Sequence, residues 1–482
     1  ACYVCVVGDD DQSIYGFRGA EVRNILGFEE IFPNTGIIKL ERNYRSYQSI
    51  LDVAQAVVER NESRLGKELK AERKGGQKPV LAVLANQDEE TAYCARIIDA
   101  QLRKGRSFSD VAILYRTNAQ SLAFERAFPP MGIPYRLVGA LRFYEREEVK
   151  DALALLALAS NARDEVAFRR IINKPSRGIG EASLELLVSA ALSSDGNLLD
   201  AAEHAELKTQ KARNGLAAFS RIMHALVAKL GPASEPGQTD TEISAPSSRE
   251  LSLAPVLEWA VQESGLLAYH RDQDEIAGSQ KTANLDELQN AAADWPATRS
   301  GLSAFLEAVE LDRAMSQADA SADAVTLITM HNTKGLEFPV VIATGMEQGL
   351  FPRDNEEGEQ LEEQRRLFYV AMTRAKDELY LTYCRRRLFR GRTMDYPPSR
   401  FLAEIPPKKL ETFGGKLDLS AVSAMGSWKS GVRVYHDDHG YGHVIKVSPA
   451  GDSGVCVMVR FETGSVLQFF PSYTKKLEII KD

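Results

Sequence analysis

The sequence predicts an α/β protein built on a parallel sheet, with an all-α segment in mid-chain and a small β-barrel at its end. Two apolar runs, 80–84 and 111–115, have the pattern of buried strands, and residues 89–104 between them have helical spacing. The same α/β pattern returns at 325–330 and 340–343. Strands that alternate with helices are typical of a parallel sheet, so we expect one sheet built from both stretches.

The middle and the end of the chain follow other patterns. From Glu147 onward the apolar residues fall at helical spacing over roughly 170 residues. Within this stretch, 231–250 is rich in Pro, Ser, Thr and Glu and is predicted to be a surface loop. Residues 404–427 are polar and predict a linker. Strict alternation of apolar residues over 455–461, between glycine-punctuated short strands, predicts a small five-stranded barrel.

Composition bounds the class of protein. The 482 residues include 44% hydrophobic residues and carry a formal net charge of −8. This charge excludes an indiscriminately basic nucleic-acid coat, although a local positive groove is compatible with it. No apolar run reaches the ~18 residues that a membrane span needs, so no membrane association is expected. Five scattered cysteines favour a reducing, cytoplasmic compartment.

Near the start, apolar residues at 4–7 precede the string G-D-D-D-Q-S-I-Y-G-F-R-G-A at 8–20. This pattern predicts a short buried strand that ends in a polar loop, where α/β proteins place ligand chemistry. On composition alone, a solvated acidic turn after an edge strand fits equally well. The side chains with binding chemistry in the loop are Gln12, for a water or a phosphate, and Tyr15, Phe17 and Arg18, for a base.

This string closely resembles a segment of the UvrD/PcrA/Rep family of superfamily 1 helicases, which move 3′ to 5′ on single-stranded DNA. The resemblance implies that Gln12 senses the γ-phosphate of ATP and that Phe17 stacks on a DNA base. In that family the phosphate loop and the magnesium-binding acidic motif come earlier in the chain. Residues 1–41 are therefore expected to be the end of a first RecA-like motor domain.

The string L-E-R-N-Y-R-S at 40–46 places an aromatic ring and a guanidinium at a strand-to-helix junction. A guanidinium there can bind phosphate in bidentate fashion, and a tyrosine can stack on a purine. An ordinary Arg–Glu surface pair is the alternative. The stretch resembles the N-Y-R-S motif of the family, which implies that Tyr44 stacks on adenine and Arg45 contacts the γ-phosphate.

After the predicted strand 325–330 comes T-M-H-N-T-K-G-L-E-F, residues 329–338. A lone histidine in such a place is usually structural. The string resembles the T-x-H-x-x-K-G-L-E motif of the family, with Asn-Thr in place of the usual Ser-Ala. The resemblance implies that Thr329 and His331 contact the DNA strand and that Gly335 and Glu337 contact the nucleotide.

Residues 362–375 have the pattern of a helix whose buried stripe includes Phe368 and Met372. An isolated E-E-x-R-R at a helix start is usually a solvated ion-pair face. The stretch resembles the R-R-L-x-Y-V-x-x-T-R-A motif of the family. The resemblance implies that Arg374 is an arginine finger that neutralises charge on the transferred phosphoryl group.

Two further stretches predict contacts with duplex DNA. The glycines in K-P-S-R-G-I-G at 174–180 can offer backbone N–H groups to a phosphate, although a simple tight turn fits equally well. The resemblance to the duplex-gripping loop of the family assigns DNA contacts here to Arg177, Gly178, Ile179 and Gly180.

The string R-R-R-L-F-R-G at 385–391 predicts a basic hairpin tipped by an aromatic residue, which suits the splitting of a base pair by stacking. The family carries such a pin as R-x-L-[FY]-G. The resemblance makes Phe389 the pin residue. Arg390 is inserted before the glycine, which leaves open which residue forms the tip.

The resemblance extends over nearly the whole chain and implies a fold: a RecA-like parallel-sheet motor domain with an inserted all-α domain, plus a C-terminal SH3/Tudor-like small β-barrel. The implied boundaries are 1–41 for the first motor remnant, 42–139 and 322–403 for the second motor domain, 140–321 for the inserted domain, 404–429 for the linker and 430–482 for the barrel.

The implied function is that of the C-terminal portion of an ATP-dependent 3′–5′ DNA helicase acting in repair and transcription-coupled processes, associated with the nucleoid. Its cofactor is ATP with Mg²⁺, whose ligands are expected N-terminal to this chain, so no metal ligand is assigned here. Its implied partners are single-stranded DNA, single-strand/double-strand junctions, repair proteins and, through the barrel, RNA polymerase.

The sequence contains no G-x-x-x-x-G-K-[ST] phosphate loop. The chain by itself is therefore expected not to hydrolyse ATP. This absence supports an alternative function, a non-catalytic fragment that binds DNA and RNA polymerase. A helicase–nuclease subunit is a third alternative, but no nuclease-like carboxylate cluster follows Phe401.

Overall fold

The computed structural model describes residues 5–16, 19–192, 195–205, 207–231, 252–277, 279–316, 323–354, 356–419, 428, 431–449, 455–471, 473–474 and 476–480. Its strands are β1 (Arg42–Asn43), β2 (Lys70–Ala71), β3 (Val80–Leu84), β4 (Val111–Tyr115), β5 (Tyr135–Val138), β6 (Val325–Thr329), β7 (Phe338–Ala343), β8 (Ala375–Cys384), β9 (Arg386–Phe389), β10 (Arg392–Asp395), β11 (Glu411–Phe413), β12 (Arg433–His436), β13 (Gly440–Pro449), β14 (Val455–Phe461), β15 (Val466–Phe469) and β16 (Leu477–Ile479).

Its α-helices are α1 (Arg23–Leu26), α2 (Phe28–Ile31), α3 (Gln48–Val58), α4 (Gln87–Arg103), α5 (Ser121–Ala127), α6 (Glu147–Ser160), α7 (Glu165–Ile171), α8 (Glu181–Ala191), α9 (Leu198–His204), α10 (Gln210–Lys229), α11 (Leu253–Glu263), α12 (Leu266–Ala277), α13 (Lys281–Ala292), α14 (Arg299–Ser316), α15 (Gly358–Met372) and α16 (Arg400–Ala403). None of the described helices is both long and apolar enough to cross a membrane.

Seven strands form one parallel sheet in the order β11-β3-β8-β7-β4-β6-β5. Helices α3 and α15 pack on one face, and α4 and α5 pack on the other. Every residue of β4 and β6 is buried, as expected for strands covered on both faces. The predicted parallel α/β sheet is therefore confirmed.

The sheet is assembled from two stretches of chain. Strands β3, β4 and β5 precede helices α6–α14, and β6, β7 and β8 follow them. Strand β6 lies between β4 and β5, so the later stretch inserts its strands among the earlier ones. The helices in between bury their own apolar cluster, centred on α6 and separate from the two clusters on the sheet.

The apolar residues before the acidic string do not form the predicted buried strand. Val6 and Val7 are exposed, and residues 5–9 have no strand conformation. The prediction was wrong because no described strand pairs with this segment, so an apolar run alone cannot bury it. Ile14, in contrast, is fully buried against α3 and α15 and anchors the segment to the sheet.

The predicted linker contains a strand that sequence analysis did not anticipate. Strand β11 pairs in parallel with β3 and is the outermost strand on that side of the sheet. The Phe413 ring stacks on Tyr93 of α4 with centroids 4.8 Å apart. A three-residue strand held by one aromatic contact leaves almost no periodicity in the sequence, which is why the prediction missed it.

Five strands near the end of the chain form an antiparallel sheet in the order β15-β14-β13-β12-β16, which confirms the predicted strand number. Its core includes Val434, Val444, Val457 and Val459. The predicted surface loop at 231–250 lies, apart from Gly231, outside the described residues.

One aromatic cluster shows how much the sheet helices depend on packing. The Phe368 ring of α15 lies 5.6 Å from that of Phe351 and 5.9 Å from that of Phe401. All three side chains are fully buried.

We expect Phe368→Ala to lower the free energy of unfolding by about 3–5 kcal/mol, because it removes a buried ring and leaves a cavity. Urea unfolding followed by circular dichroism measures this loss. As a matched control, the exposed Met131→Ala should change it by less than about 0.5 kcal/mol. Equal effects of the two substitutions would contradict the assigned core.

Candidate nucleotide and DNA sites

The connection 330–337 brings several predicted residues together. It leaves the carboxyl end of β6 at Thr329 and reaches the amino end of β7 at Phe338. Both strands run in parallel beside β4. The connection therefore crosses from the carboxyl ends of the strands, the carboxyl edge of the sheet, to their amino ends, the amino edge. Gly335 has φ +91° and open space around it, so the turn requires a glycine for its backbone conformation rather than for lack of room.

Arg45 is bound at the amino edge of the sheet. Its Nε donates to Glu337 Oε2 at 2.7 Å, and its NH1 donates to the Thr373 carbonyl at 3.3 Å. Lys376 Nζ lies 2.7 Å from the other carboxylate oxygen of Glu337. Hydrogen bonds from Lys376 and then Arg45 lower the pKa of Glu337 to about 2. Glu337 is therefore ionised and orients Arg45.

Arg374 lies beside Arg45 and is almost completely buried, with 2% of the residue exposed. Its Nε donates to the Val370 carbonyl at 3.0 Å, and its NH1 donates to the Leu336 carbonyl at 3.3 Å. Burial lowers the pKa of Arg374 to about 10, and the positive charge of Arg45 adds to that effect. The two guanidinium groups therefore repel one another, while the negative charges of Glu337 and Asp9 favour the charged form of Arg374.

The predicted adenine-stacking residue is accessible. Tyr44 precedes Arg45 in the chain and is 70% exposed. Ser46 Oγ donates to the Ala375 carbonyl at 2.5 Å, which fixes this stretch at the start of β8. The structure therefore brings Tyr44, Arg45 and Arg374 to one edge of the sheet.

Gln12 lies beside the same connection but is not aimed at the arginines. Lys334 Nζ donates to the Gln12 backbone carbonyl at 2.8 Å. The Gln12 side-chain amide instead donates to Asp9 Oδ2 at 2.6 Å. Arg366 of α15 donates to the Ser13 carbonyl at 3.0 Å, which helps to hold this segment on the sheet.

The three carboxylates at 9–11 are close enough to share a metal ion, but cations of this chain already engage them. Arg64 donates to both carboxylate oxygens of Asp11, at 3.0 and 2.8 Å. Lys67 Nζ contacts Asp9 and Asp11. A magnesium ion needs anionic oxygens free of such partners, so these residues do not fit a magnesium site.

The predicted DNA contacts at the carboxyl edge line a cleft of about 1210 Å³. Thr329 and His331 are part of its wall, and the Tyr15 hydroxyl lies 3.5 Å from the His331 carbonyl. Phe17 and Arg18 lie outside the described residues. Basic side chains that line the same cleft are Arg116, Arg146, Arg271, Lys281, Arg353 and Arg366. Carboxylates line it as well, namely Glu21, Glu147, Glu148, Asp274, Glu275, Glu356, Glu359 and Glu363.

Arg177 has a structural arrangement that the sequence did not predict. Its NH1 donates to the carbonyls of Ile171 and Lys174, at 2.9 and 2.8 Å, and its NH2 donates to the Ser264 carbonyl at 2.7 Å. Burial lowers the pKa of Arg177 to about 10. The guanidinium therefore clamps the backbone and is not presented to a phosphate.

The glycine loop 178–180 follows Arg177 directly. Gly178 has φ +77°, and Asn173 Oδ1 accepts from the Arg177 and Ile179 N–H groups. Gly180 caps the start of α8. The backbone N–H groups of Gly178 and Gly180 have no hydrogen-bond partner among the described residues, so the loop itself can still offer donors.

The predicted hairpin is confirmed as β9 and β10, with Phe389 paired to Arg392. The turn therefore consists of Arg390 and Gly391, and Phe389 is the last strand residue before it. Its side chain is 43% exposed. Below it, Arg387 is buried between Glu347 and Glu90.

Sequence analysis missed the lysines that complete the site. Lys376 holds Glu337, and Lys334 ties the segment around Gln12 to the connection. Lys334 is the lysine of the T-x-H-x-x-K-G-L-E motif, so its position in the motif could have predicted that it belongs to the site. Lys376 sits at the start of a strand, where a lysine looks like an ordinary surface residue.

Two protein-family models match this chain. Residues 38–386 match the UvrD-like helicase C-terminal domain, and residues 1–33 match the UvrD/REP helicase N-terminal domain. The chain belongs to the UvrD-like helicase family.

Individual relatives agree with this assignment. DNA helicase II of Escherichia coli is 36% identical over 93% of this chain, and ATP-dependent DNA helicase PcrA of Staphylococcus epidermidis is 35% identical over 93%. The chain spans 63% of the length of each of these two relatives. The solved C-terminal domain of a possible DNA helicase from Lactobacillus aligns over 77% of this chain and 99% of that chain at 12% identity, with a TM-score of 0.29, too low to support an argument.

We expect Arg177→Ala to raise amide hydrogen exchange at 171–176 and lower the melting temperature, because three backbone carbonyls lose a buried charged donor. The matched control is Arg213→Ala, whose guanidinium bonds the Leu207 carbonyl in an exposed setting. Unchanged exchange together with weakened DNA binding would show instead that Arg177 is a phosphate ligand.

Proposed function

We propose that this chain is the C-terminal portion of an ATP-dependent DNA helicase that moves 3′ to 5′ on single-stranded DNA and unwinds duplexes, in repair and transcription-coupled processes. In this proposal the parallel sheet is the second RecA-like motor domain, over 42–139 and 322–403. Helices within 140–321 form an inserted domain, and 1–41 is the end of the first motor domain.

The observation that carries the proposal is the pair Arg45 and Arg374 at the amino edge of the sheet. Two neighbouring guanidinium groups, one of which shares its carboxylate partner with Lys376, favour an anion. The γ-phosphate of ATP, bound with Mg²⁺ by a phosphate-loop domain, would supply that anion. Tyr44 is placed to stack on the adenine, and Gly335 leaves room for the nucleotide.

Arg374 would act as the finger only after its NH1 and NH2 groups leave their present partners. Its contacts with the Leu336 carbonyl and Thr373 Oγ1 are both 3.3 Å long, at the weak end for hydrogen bonds. We propose that the γ-phosphate draws NH1 and NH2 away from them while Nε keeps its bond to Val370. Gln12, now bound to Asp9, would likewise turn towards the phosphate.

The proposed path of the DNA is the cleft at the opposite, carboxyl edge. Thr329 and His331 lie in its wall, and basic side chains from both the sheet and the helices face it, interspersed with carboxylates. Phosphate contacts of this kind position a strand without reading its sequence. Gly178 and Gly180 would grip the duplex through their backbone, and Phe389 would meet the junction.

We expect Arg374→Ala, in this chain joined to a phosphate-loop motor domain, to lower kcat for ATP hydrolysis by about 10³-fold, because charge on the transferred phosphoryl group loses its partner. Steady-state hydrolysis with saturating single-stranded DNA measures this. The exposed Arg103→Ala is the matched control and should leave kcat unchanged. Hydrolysis at the parental rate by the Arg374 variant would exclude the finger.

The alternative function is a non-catalytic fragment that binds DNA and RNA polymerase. It is favoured by the absence of a phosphate loop from the sequence. In this proposal the five-stranded sheet is a Tudor-like module over 430–482. Its exposed Tyr435 and Tyr441, in an edge-to-face contact with ring centroids 5.2 Å apart, would provide the contact surface.

Purified 1–482 tests this alternative. We expect no DNA-stimulated ATP hydrolysis by the chain alone, because no phosphate loop binds the nucleotide, and retention on immobilised RNA polymerase that is lost on deletion of 430–482. ATP turnover by the chain alone would exclude the non-catalytic alternative. Retention that survives the deletion would show that the sheet is not the docking module.

A further inference from the structure

The turn of the β9–β10 hairpin rests directly on the helices. Asn290 of α13 bonds both sides of it: its Nδ2 donates to the Leu388 carbonyl at 3.1 Å, and its Oδ1 accepts from the Gly391 N–H at 2.9 Å. Arg390 Nε donates to Asp286 Oδ1 at 2.8 Å, one helical turn before Asn290. We call these two helix residues the latch.

The turn itself fits this contact. Arg390 has φ +50°, and positive φ at both central residues is what a two-residue type I′ hairpin turn requires. Gly391 has φ +70°, and a Cβ there would lie 2.6 Å from Cβ of Ala254 in α11. The backbone therefore approaches the helices too closely for any residue but glycine.

The base of the hairpin is fixed separately. Arg387 Nε donates to Glu347 Oε2 at 2.8 Å, and its NH2 donates to Glu90 Oε1 at 2.8 Å. All three side chains are buried. With its base set in the sheet domain and its turn set on the helices, the hairpin is held at both ends.

We propose that Asn290 and Asp286 are positioning residues that hold the hairpin turn on the helices, so that Phe389 meets the first base pair of a single-strand/double-strand junction. The proposal rests on the proposed function and deepens it. Phe389 is exposed, and the Arg390 guanidinium lies 5.3 Å from its ring centroid, which restricts both side chains. A ring that is already held in place loses less conformational entropy when it stacks on a base, so it binds more tightly.

The test uses the chain 1–482 and two DNA probes: a fork with 2-aminopurine at its first base pair, and a single strand of the same length. Two measurements are made, amide hydrogen exchange at 386–395 and the ratio of the Kd values for the two probes. The variants are Asn290→Ala and the isosteric Asp286→Asn, which keeps the fold testable if the first unfolds the helices. The control is Asn214→Ala, an exposed residue of α10 whose described hydrogen bond is with Gln210.

Each latch variant should raise exchange at 386–395 by about fivefold and reduce the preference for the fork by about threefold, with the single-strand Kd unchanged. The control should change neither quantity. Unchanged exchange in both variants would overturn the latch, and raised exchange with an unchanged fork preference would overturn its positioning role. A parent chain without any fork preference would contradict the junction part of the proposed function, whereas the exchange data would still decide the latch.

Discussion

The connection 330–337 is the constraint on which the two sites depend. It begins at the carboxyl end of β6 and ends at the amino end of β7, and both strands are fixed beside β4. Met330 and Thr333 are fully buried, and Thr333 Oγ1 donates to the Met330 carbonyl at 2.6 Å. The ends of the connection are therefore set by the sheet and its first half is packed under α15, whereas residues 334–337 are exposed.

The connection lies between two groups of candidate binding residues, one at the amino edge of the sheet and one at the carboxyl edge. The groups suited to a phosphate gather at the amino edge, where Glu337 and Arg374 immediately precede β7 and β8. The cleft lined by Thr329 and His331 and the hairpin lie at the carboxyl edge, where β4, β6 and β8 end. The connection 330–337 links the two edges along the chain.

Sequence reasoning recovered the sheet because its strands are continuous apolar runs, which only burial on both faces explains. Strands β3 and β4 were predicted with the bounds that they have in the structure. It could not recover side-chain direction. Arg177 and Arg374 occupy motif positions that predict contacts with DNA and with phosphate, yet both guanidinium groups donate to backbone carbonyls. Nor could it find β11, whose strand character depends on the edge of β3 and appears only after folding.

The order of the strands also has a consequence for how the chain is divided into modules. Strands β5 and β6 are hydrogen-bonded neighbours although all of α6–α14 lies between them in sequence. The helices bury a separate apolar cluster, so the sheet does not need them for its own core. Joining two adjacent parallel strands takes only one crossover of about a dozen residues. In architectural terms, the helical block takes the place of one crossover between β5 and β6, and it supplies in addition the contacts of α11 and α13 with the β9–β10 hairpin.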